Sequence, residues 1–288
     1  MSRQVALVTD STAALSAESV ERHGIIVVPL QVVIGARSLD EGTEATPETV
    51  AKALRDYKPV STSRPSPELM ARVYHDAAVG GADTIVSVHL SGEVSGTYES
   101  AQIAAAQVEV PVETVDSRQV GMGTGFAVLA AAAAIAAGLD ARRVAEAASA
   151  RAAATQCYFY VDTLEYLRRG GRIGAASALF GSALAVKPLL SIRDGRIGPL
   201  ERVRTSSRAL ARLEELAVTA AGDLGGSVEI AVQHLASPDK AATIAERLKE
   251  RLALDSVVLG EVGAVIGAHV GPGTVSYTHL TLPTIYSV

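Results

Sequence analysis

Two short stretches gather hydroxyl groups where an anion could be received without a fixed positive charge. The first is Val60-Ser61-Thr62-Ser63-Arg64-Pro65-Ser66-Pro67. Ser66 precedes a proline and an acid, the pattern of a helix cap. Thr62 and Ser63 are left over, in an extended segment held by Pro65. The second is Leu90-Ser91-Gly92-Glu93-Val94-Ser95-Gly96-Thr97-Tyr98, after an apolar run and before a helical pattern. Strand, Ser/Gly loop and helix aim backbone N–H groups and the positive helix end at one point. Ser95 stands at the expected helix start, where its hydroxyl either caps the helix or meets a ligand. Each stretch also reads as a plain polar capping loop.

Other candidates are weaker. Gly121-Met122-Gly123-Thr124-Gly125 lacks the dinucleotide spacing and the acidic partner that should follow it. Close helix packing is the better reading. Arg168-Arg169-Gly170-Gly171-Arg172, Lys187 and Arg202-Val203-Arg204 form basic clusters able to meet carboxylates, phosphates or acidic partners. They also read as solvated surface charge. His269 lies among small residues, within reach of a ligand carboxylate or satisfied in a turn. The six histidines show no ligand spacing and Cys157 has no partner cysteine, so no metal and no cofactor are expected. A hydrolase or phosphotransferase using Ser91 or Ser95 would need a base beside the serine. No motif marks one.

These residues need elements to position them. Apolar runs at 5–8, 25–30, 84–88 and 112–115 read as strands, and helical stretches begin at 16, 46, 66 and 96. Continuous apolar strands alternating with helices predict an α/β fold with a parallel sheet covered on both faces. In such a sheet, the loops after strand C-termini line the ligand crevice. The second half offers strands at 158–161, 228–232 and 257–259, and helices after Ser206 and from Ser237. Residues 167–204 look like turns and hairpins. The expected division is an N-terminal domain over 1–150 and a C-terminal domain over 151–275. The composition of 276–288 shifts abruptly towards Thr and Tyr. That segment resembles translated adapter sequence, so it is expected to be a non-native tail and carries no weight in the fold expected here.

Composition narrows the function. The 288 residues are 48% hydrophobic but contain no Trp and three Phe, which argues for an aliphatic core and against base-stacking platforms. A net charge of −5 without a basic tract argues against nucleic acid. The uncharged stretch 119–139 is mostly Ala and Gly, so a buried helix is expected rather than an integral membrane segment. With one cysteine and no room for a leader before the first strand, a cytoplasmic location is expected.

The chain resembles the DegV family of bacterial fatty-acid-binding proteins. The resemblance rests on Val8-Thr9-Asp10-Ser11-Thr12, Pro29-Leu30, Thr62-Ser63-Arg64-Pro65-Ser66 and Ser95-Gly96-Thr97-Tyr98. It continues through Val115-Asp116-Ser117, Arg169-Gly170-Gly171-Arg172-Ile173, Lys187-Pro188 and Gly267-Ala268-His269-Val270-Gly271-Pro272-Gly273. It implies two α/β domains, a parallel-sheet N-terminal one and a mixed C-terminal one, with a fatty acid between them. It implies a carboxylate held at Thr62 and Ser95, with His269 as a further contact, and a long acyl chain such as hexadecanoate in an apolar tunnel. It also implies a non-catalytic lipid-binding protein that presents its fatty acid to a separate ATP-dependent kinase subunit, with the basic positions near Arg172 and Arg204 facing that partner. Arg64 stands where the family commonly has Gln. Glu93-Val94 precede Ser95 where the family usually reads Leu-Ser-Gly-Thr-Tyr. Both departures fall at the expected pocket mouth.

Overall fold

In the first half, the predicted alternation of strands and helices folds as β1 (Val5–Asp10), α1 (Ala17–His23), β2 (Ile26–Val28), β3 (Gln31–Ile34) and β4 (Arg37–Asp40). Then come α2 (Pro47–Arg55), β5 (Val60–Ser63), α3 (Pro67–Val79), β6 (Thr84–His89), α4 (Thr97–Ala105), β7 (Val112–Asp116), α5 (Met122–Ala136) and α6 (Ala141–Ala153). The computed structural model describes residues 4–179, 187–222 and 228–281. The first three residues, part of the expected leaderless start, and residues 282–288 of the expected tail lie outside that range.

Local chemistry sets the boundaries. The Ser16 hydroxyl accepts from the Ser19 N–H at 3.1 Å, and Ser66 accepts from Leu69 N–H at 3.2 Å. These bonds satisfy donors that a helix start leaves open. Gly24 ends α1 at φ +60°, a conformation that suits glycine. The single strand expected over 25–30 is shorter. Pro29 has no N–H for the ladder, and the chain turns into the β3–β4 hairpin, which the sequence reading missed. Thr62 lies on β5, within a three-stranded sheet of order β4-β3-β5.

Packing divides the chain into two units. One comprises residues up to Thr46 together with Ser61–Ala153. The other comprises Pro47–Val60 together with residues from Ala154 onward. Residues 47–60 thus pack with the second unit, although they lie within the first 150.

In the first unit, β2-β1-β6-β7 form a parallel sheet. Side-chain alternation sends Leu7, Val86, Val88 and Val115 to one face, against Ala127, Val128 and Ala131 of α5 and Val144 and Ala148 of α6. Val8, Val28 and Ile85 point to the other face, against Met70 and Tyr74 of α3 and Ala101 and Ala104 of α4. Burial on both faces explains the continuous apolar runs. The uncharged 119–139 stretch contains α5, most of which is buried.

The second unit continues with β8 (Thr155–Tyr160), α7 (Glu165–Arg169), β9 (Lys187–Arg193), β10 (Arg196–Val203), α8 (Ser206–Gly222) and β11 (Val228–His234). It ends with α9 (Pro238–Arg251), β12 (Val258–Glu261), α10 (Ala264–Val270) and β13 (Val275–Thr281). A mixed sheet has the order β10-β9-β8-β13-β11-β12, parallel only between β11 and β12. Leu213 and Ala217 of α8 and Ile244 and Leu248 of α9 cover one face over Leu189, Ile230, Val232 and Tyr277. α2 packs with α10. Residues 276–281, the described part of the segment expected to be non-native, form most of β13 and pair on both sides with β8 and β11. Their Thr- and Tyr-rich composition is what a strand accommodates.

Candidate functional site

The strand order places a topological switch point between β1 and β6, where the winding of an open parallel sheet reverses. Ligand crevices form outside the carboxyl ends of strands at such a point. The loops that leave there are 11–16 and 90–96. The second is the Ser-rich segment singled out from the sequence.

Within that loop, Ser91 O accepts from Val94 N–H and Ser95 N–H, each at 3.2 Å, and Ser91 N–H donates to Gln119 O at 2.9 Å. Ser95 Oγ lies 2.9 Å from Thr97 Oγ1 and accepts from Thr97 N–H at 3.3 Å. The half-buried Ser95 hydroxyl therefore folds over the first turn of α4. Gly96 is the N-cap residue, without a side-chain cap. A Cβ there would collide with the Arg64 guanidinium, which donates to Gly96 O at 2.9 Å and pairs with Glu99 at 2.6 Å. Arg64 thus fastens the segment carrying Thr62 to the residue after Ser95. Thr62 itself is half-buried. Arg64, singled out at the expected pocket mouth, forms this clamp.

Behind the loop lies a polar chain that the sequence reading missed. Tyr74 OH donates to Ser87 Oγ at 2.8 Å, and Ser87 Oγ lies 2.7 Å from His89 Nε2. His89 Nδ1 lies 2.9 Å from Asp10 Oδ2. Asp10 Oδ2 also accepts from Leu90 N–H at 3.1 Å, while Oδ1 accepts from Thr12 N–H at 3.1 Å and Thr12 Oγ1 at 2.5 Å. If Tyr74 donates to Ser87 and Ser87 to His89, the imidazole carries its proton on Nδ1 and donates to the carboxylate. Burial pushes the Tyr74 hydroxyl up to about 12, so it remains a donor. The only legible signal was Ser87 and His89 two apart on a strand, hence on one face.

Serine, histidine and aspartate in this order resemble a hydrolytic triad. Ser87, His89 and Asp10 are each 0% exposed, however, and Ser87 is capped by Tyr74. A nucleophile must reach its substrate, and this serine does not. Ser95, the serine proposed from sequence, has its hydroxyl turned to Thr97.

In the second unit, His269 lies on α10 with Gly170, the C-cap of α7, against its Nδ1. A Cβ at 170 would collide with the ring. Burial, then the nearby Arg172 charge, lowers the His269 pKa to about 4, so the ring is neutral at pH 7. Arg172 donates to Gly170 O at 2.7 Å. Arg168 and Arg169 both pair with Glu165 on the surface. The Arg-Gly cluster therefore separates into surface charge and one arginine beside His269. Lys187 donates to the Asp162 carboxylate and carbonyl, each at 3.0 Å. Burial raises the Cys157 thiol to about 11, which leaves it unreactive. Among the described residues, no group of His, Cys, Asp and Glu is placed to hold a metal, and no helix is long and apolar enough to cross a membrane.

A family model described as "Uncharacterised protein, DegV family" matches residues 4–281. A DegV domain-containing protein from Streptomyces coelicolor is 58% identical over 274 residues, covering 95% of this chain and 97% of that protein. One from Mycobacterium tuberculosis is 37% identical, covering 94% and 95%. Two solved structures superpose closely. A Thermus thermophilus DegV family protein, described by its fatty acid binding, is 33% identical, has a TM-score of 0.90, and covers 97% of this chain and 100% of its own. DegV from Bacillus subtilis, described as a fatty acid binding protein, is 32% identical, with TM-score 0.90 and coverage of 98% and 100%.

Proposed function

The chain belongs to the DegV family, and from that premise we propose that it binds a long-chain fatty acid without transforming it. The observation that carries this reading is the junction at the switch point, where Arg64 ties the Thr62 segment to the Ser95 loop. Thr62 and Ser95 lie on the two segments that this tie joins beside the start of α4, and hydroxyl and N–H donors of that kind suit a carboxylate. They receive the charge without burying a fixed cation. The relatives described as fatty acid binding support the ligand class.

The division of labour follows from magnitudes. Burying an acyl chain is worth about 0.8 kcal/mol per CH₂, on the order of 10 kcal/mol for a long chain before binding costs. The polar groups need only orient the head group. Thr62 and Ser95 are the proposed carboxylate donors. His269, neutral at pH 7, is the further polar contact that the family resemblance implies. The finer role is delivery of the fatty acid, in the cytoplasm, to a separate kinase that phosphorylates the carboxylate with ATP. The basic positions near Arg172 and Arg204 are the proposed partner-facing residues.

The test is calorimetric titration of delipidated protein with a long-chain fatty acid. Replacing Thr62 and Ser95 together by Ala should weaken binding at least about a hundredfold, because each hydrogen bond to a charged group contributes roughly 1.5–3 kcal/mol. Unchanged affinity in the double variant would remove both residues from the site. For the delivery role, the loaded protein should yield acyl phosphate when a fatty acid kinase and ATP are added. Absence of product with a kinase that is active on another carrier would refute that role.

A further inference from the structure

We propose that Tyr74, Ser87, His89 and Asp10 act as a positioning relay for the carboxylate site. They fix the Ser95 loop against the helix that follows Thr62. This inference rests on the reading of Thr62 and Ser95 as carboxylate donors.

All four residues are fully buried, on a sheet face otherwise filled by Val8, Val28, Ile85 and Met70. An aliphatic core would fold without them, and buried polar groups cost stability unless paired. The placement of the two ends gives the chain its purpose. Tyr74 lies on α3, which begins directly after the Thr62–Ser66 segment. Asp10 ends β1 at the switch point and receives the N–H groups of Thr12 and Leu90, which lie at the start of the two loops that leave there. From Leu90 the backbone continues through the Ser91 carbonyl, which holds Ser95 N–H. The relay thus links the element downstream of one proposed donor to the loop carrying the other.

A second tie joins the same two segments on the outside, from Arg64 to Gly96 and Glu99. Its side chains are 42% and 65% exposed, so water competes for it. The interior tie is shielded from that competition and sets the register more stiffly. Hydroxyl donors lose strength steeply with misalignment, so a small slip of α3 against β6 is felt at the head group and hardly along an acyl chain.

That asymmetry supplies the test. Affinities for a long-chain fatty acid and for its methyl ester are measured by titration on delipidated wild-type, Tyr74→Phe, Asp10→Asn and Met70→Leu proteins. Met70 shares the buried face of α3 but lies outside the relay, so it controls for general core damage. Wild type should prefer the acid. Tyr74→Phe should lose about five- to tenfold in acid affinity with the ester changed less than twofold, the scale of one misaligned hydrogen bond. Asp10→Asn should lose more, and Met70→Leu should keep the wild-type ratio. If Asp10→Asn does not fold, Tyr74→Phe, which keeps the ring, carries the test. An acid preference retained in both relay variants overturns the relay alone. Equal wild-type affinity for acid and ester overturns the carboxylate reading on which it rests.

Discussion

His89 and His279 are both fully buried in sheets, yet the molecule treats them oppositely. His89 ends β6 of the parallel sheet, bonded to Ser87 through one ring nitrogen and to Asp10 through the other. His279 lies in β13 of the mixed sheet, stacked on Tyr277 with ring centroids 5.1 Å apart, and neither ring nitrogen has a hydrogen-bond partner among the described residues. One buried imidazole belongs to a polar chain matched at every atom. The other is held by packing alone. Polarity in a core is therefore costly or useful depending on whether the neighbouring strands supply partners.

The largest expected effect comes from removing the hub of the matched chain. Asp10→Ala leaves His89, Thr12 N–H and Leu90 N–H without their acceptor and should cost about 3–5 kcal/mol in denaturant unfolding, as for a broken buried pair. A loss below about 1 kcal/mol would mean that the chain carries little stability. The opposite sign is expected in β13. His279→Leu removes an unmatched polar ring and should stabilise by roughly 1–2 kcal/mol. Destabilisation of that size would show that the ring contributes through stacking on Tyr277 and Tyr158.

Acid sharpens the same contrast. Burial lowers the His279 pKa from 6.5 to about 4, and burial with the Arg172 charge does the same to His269. Between those values the unfolded chain binds protons that the folded protein refuses. Stability should therefore be level above pH 6.5 and fall as pH drops towards 4, by up to about 1.4 kcal/mol per unit for each histidine. In His279→Leu that fall should be shallower by one histidine's share. An unchanged slope would take His279 out of the acid response. The smallest effect belongs to the surface clamp. Arg64→Ala should change stability by less than about 1 kcal/mol, because exposed ion pairs contribute little. A loss larger than that of Asp10→Ala would make the outer tie, not the inner one, the stronger of the two.

The parallel sheet was legible because strands buried on both faces are written as unbroken apolar runs, such as 84–88. The Ser95 loop was legible as a strand-to-helix connection because serine and glycine suit the start of a helix. The relay was not, because Asp10 and Tyr74 reach His89 and Ser87 only through folding, and their spacing in the chain carries no periodicity. The β3–β4 hairpin escaped because its strands are four residues each and interrupted by polar side chains. The composition of residues 276–288 points to a non-native tail, while strand pairing over 276–281 depends on backbone and on β-branched and aromatic side chains, which Thr and Tyr supply. We propose that this segment nonetheless derives from adapter sequence. The unmatched His279 supports that origin, and an uninterrupted native reading frame through these codons at the source locus would refute it.

The central claim is tested most directly by mass spectrometry of the lipid extract from purified protein. The account predicts one long-chain fatty acid in near-stoichiometric amount. A lipid-free protein that also fails to take up added fatty acid would contradict it.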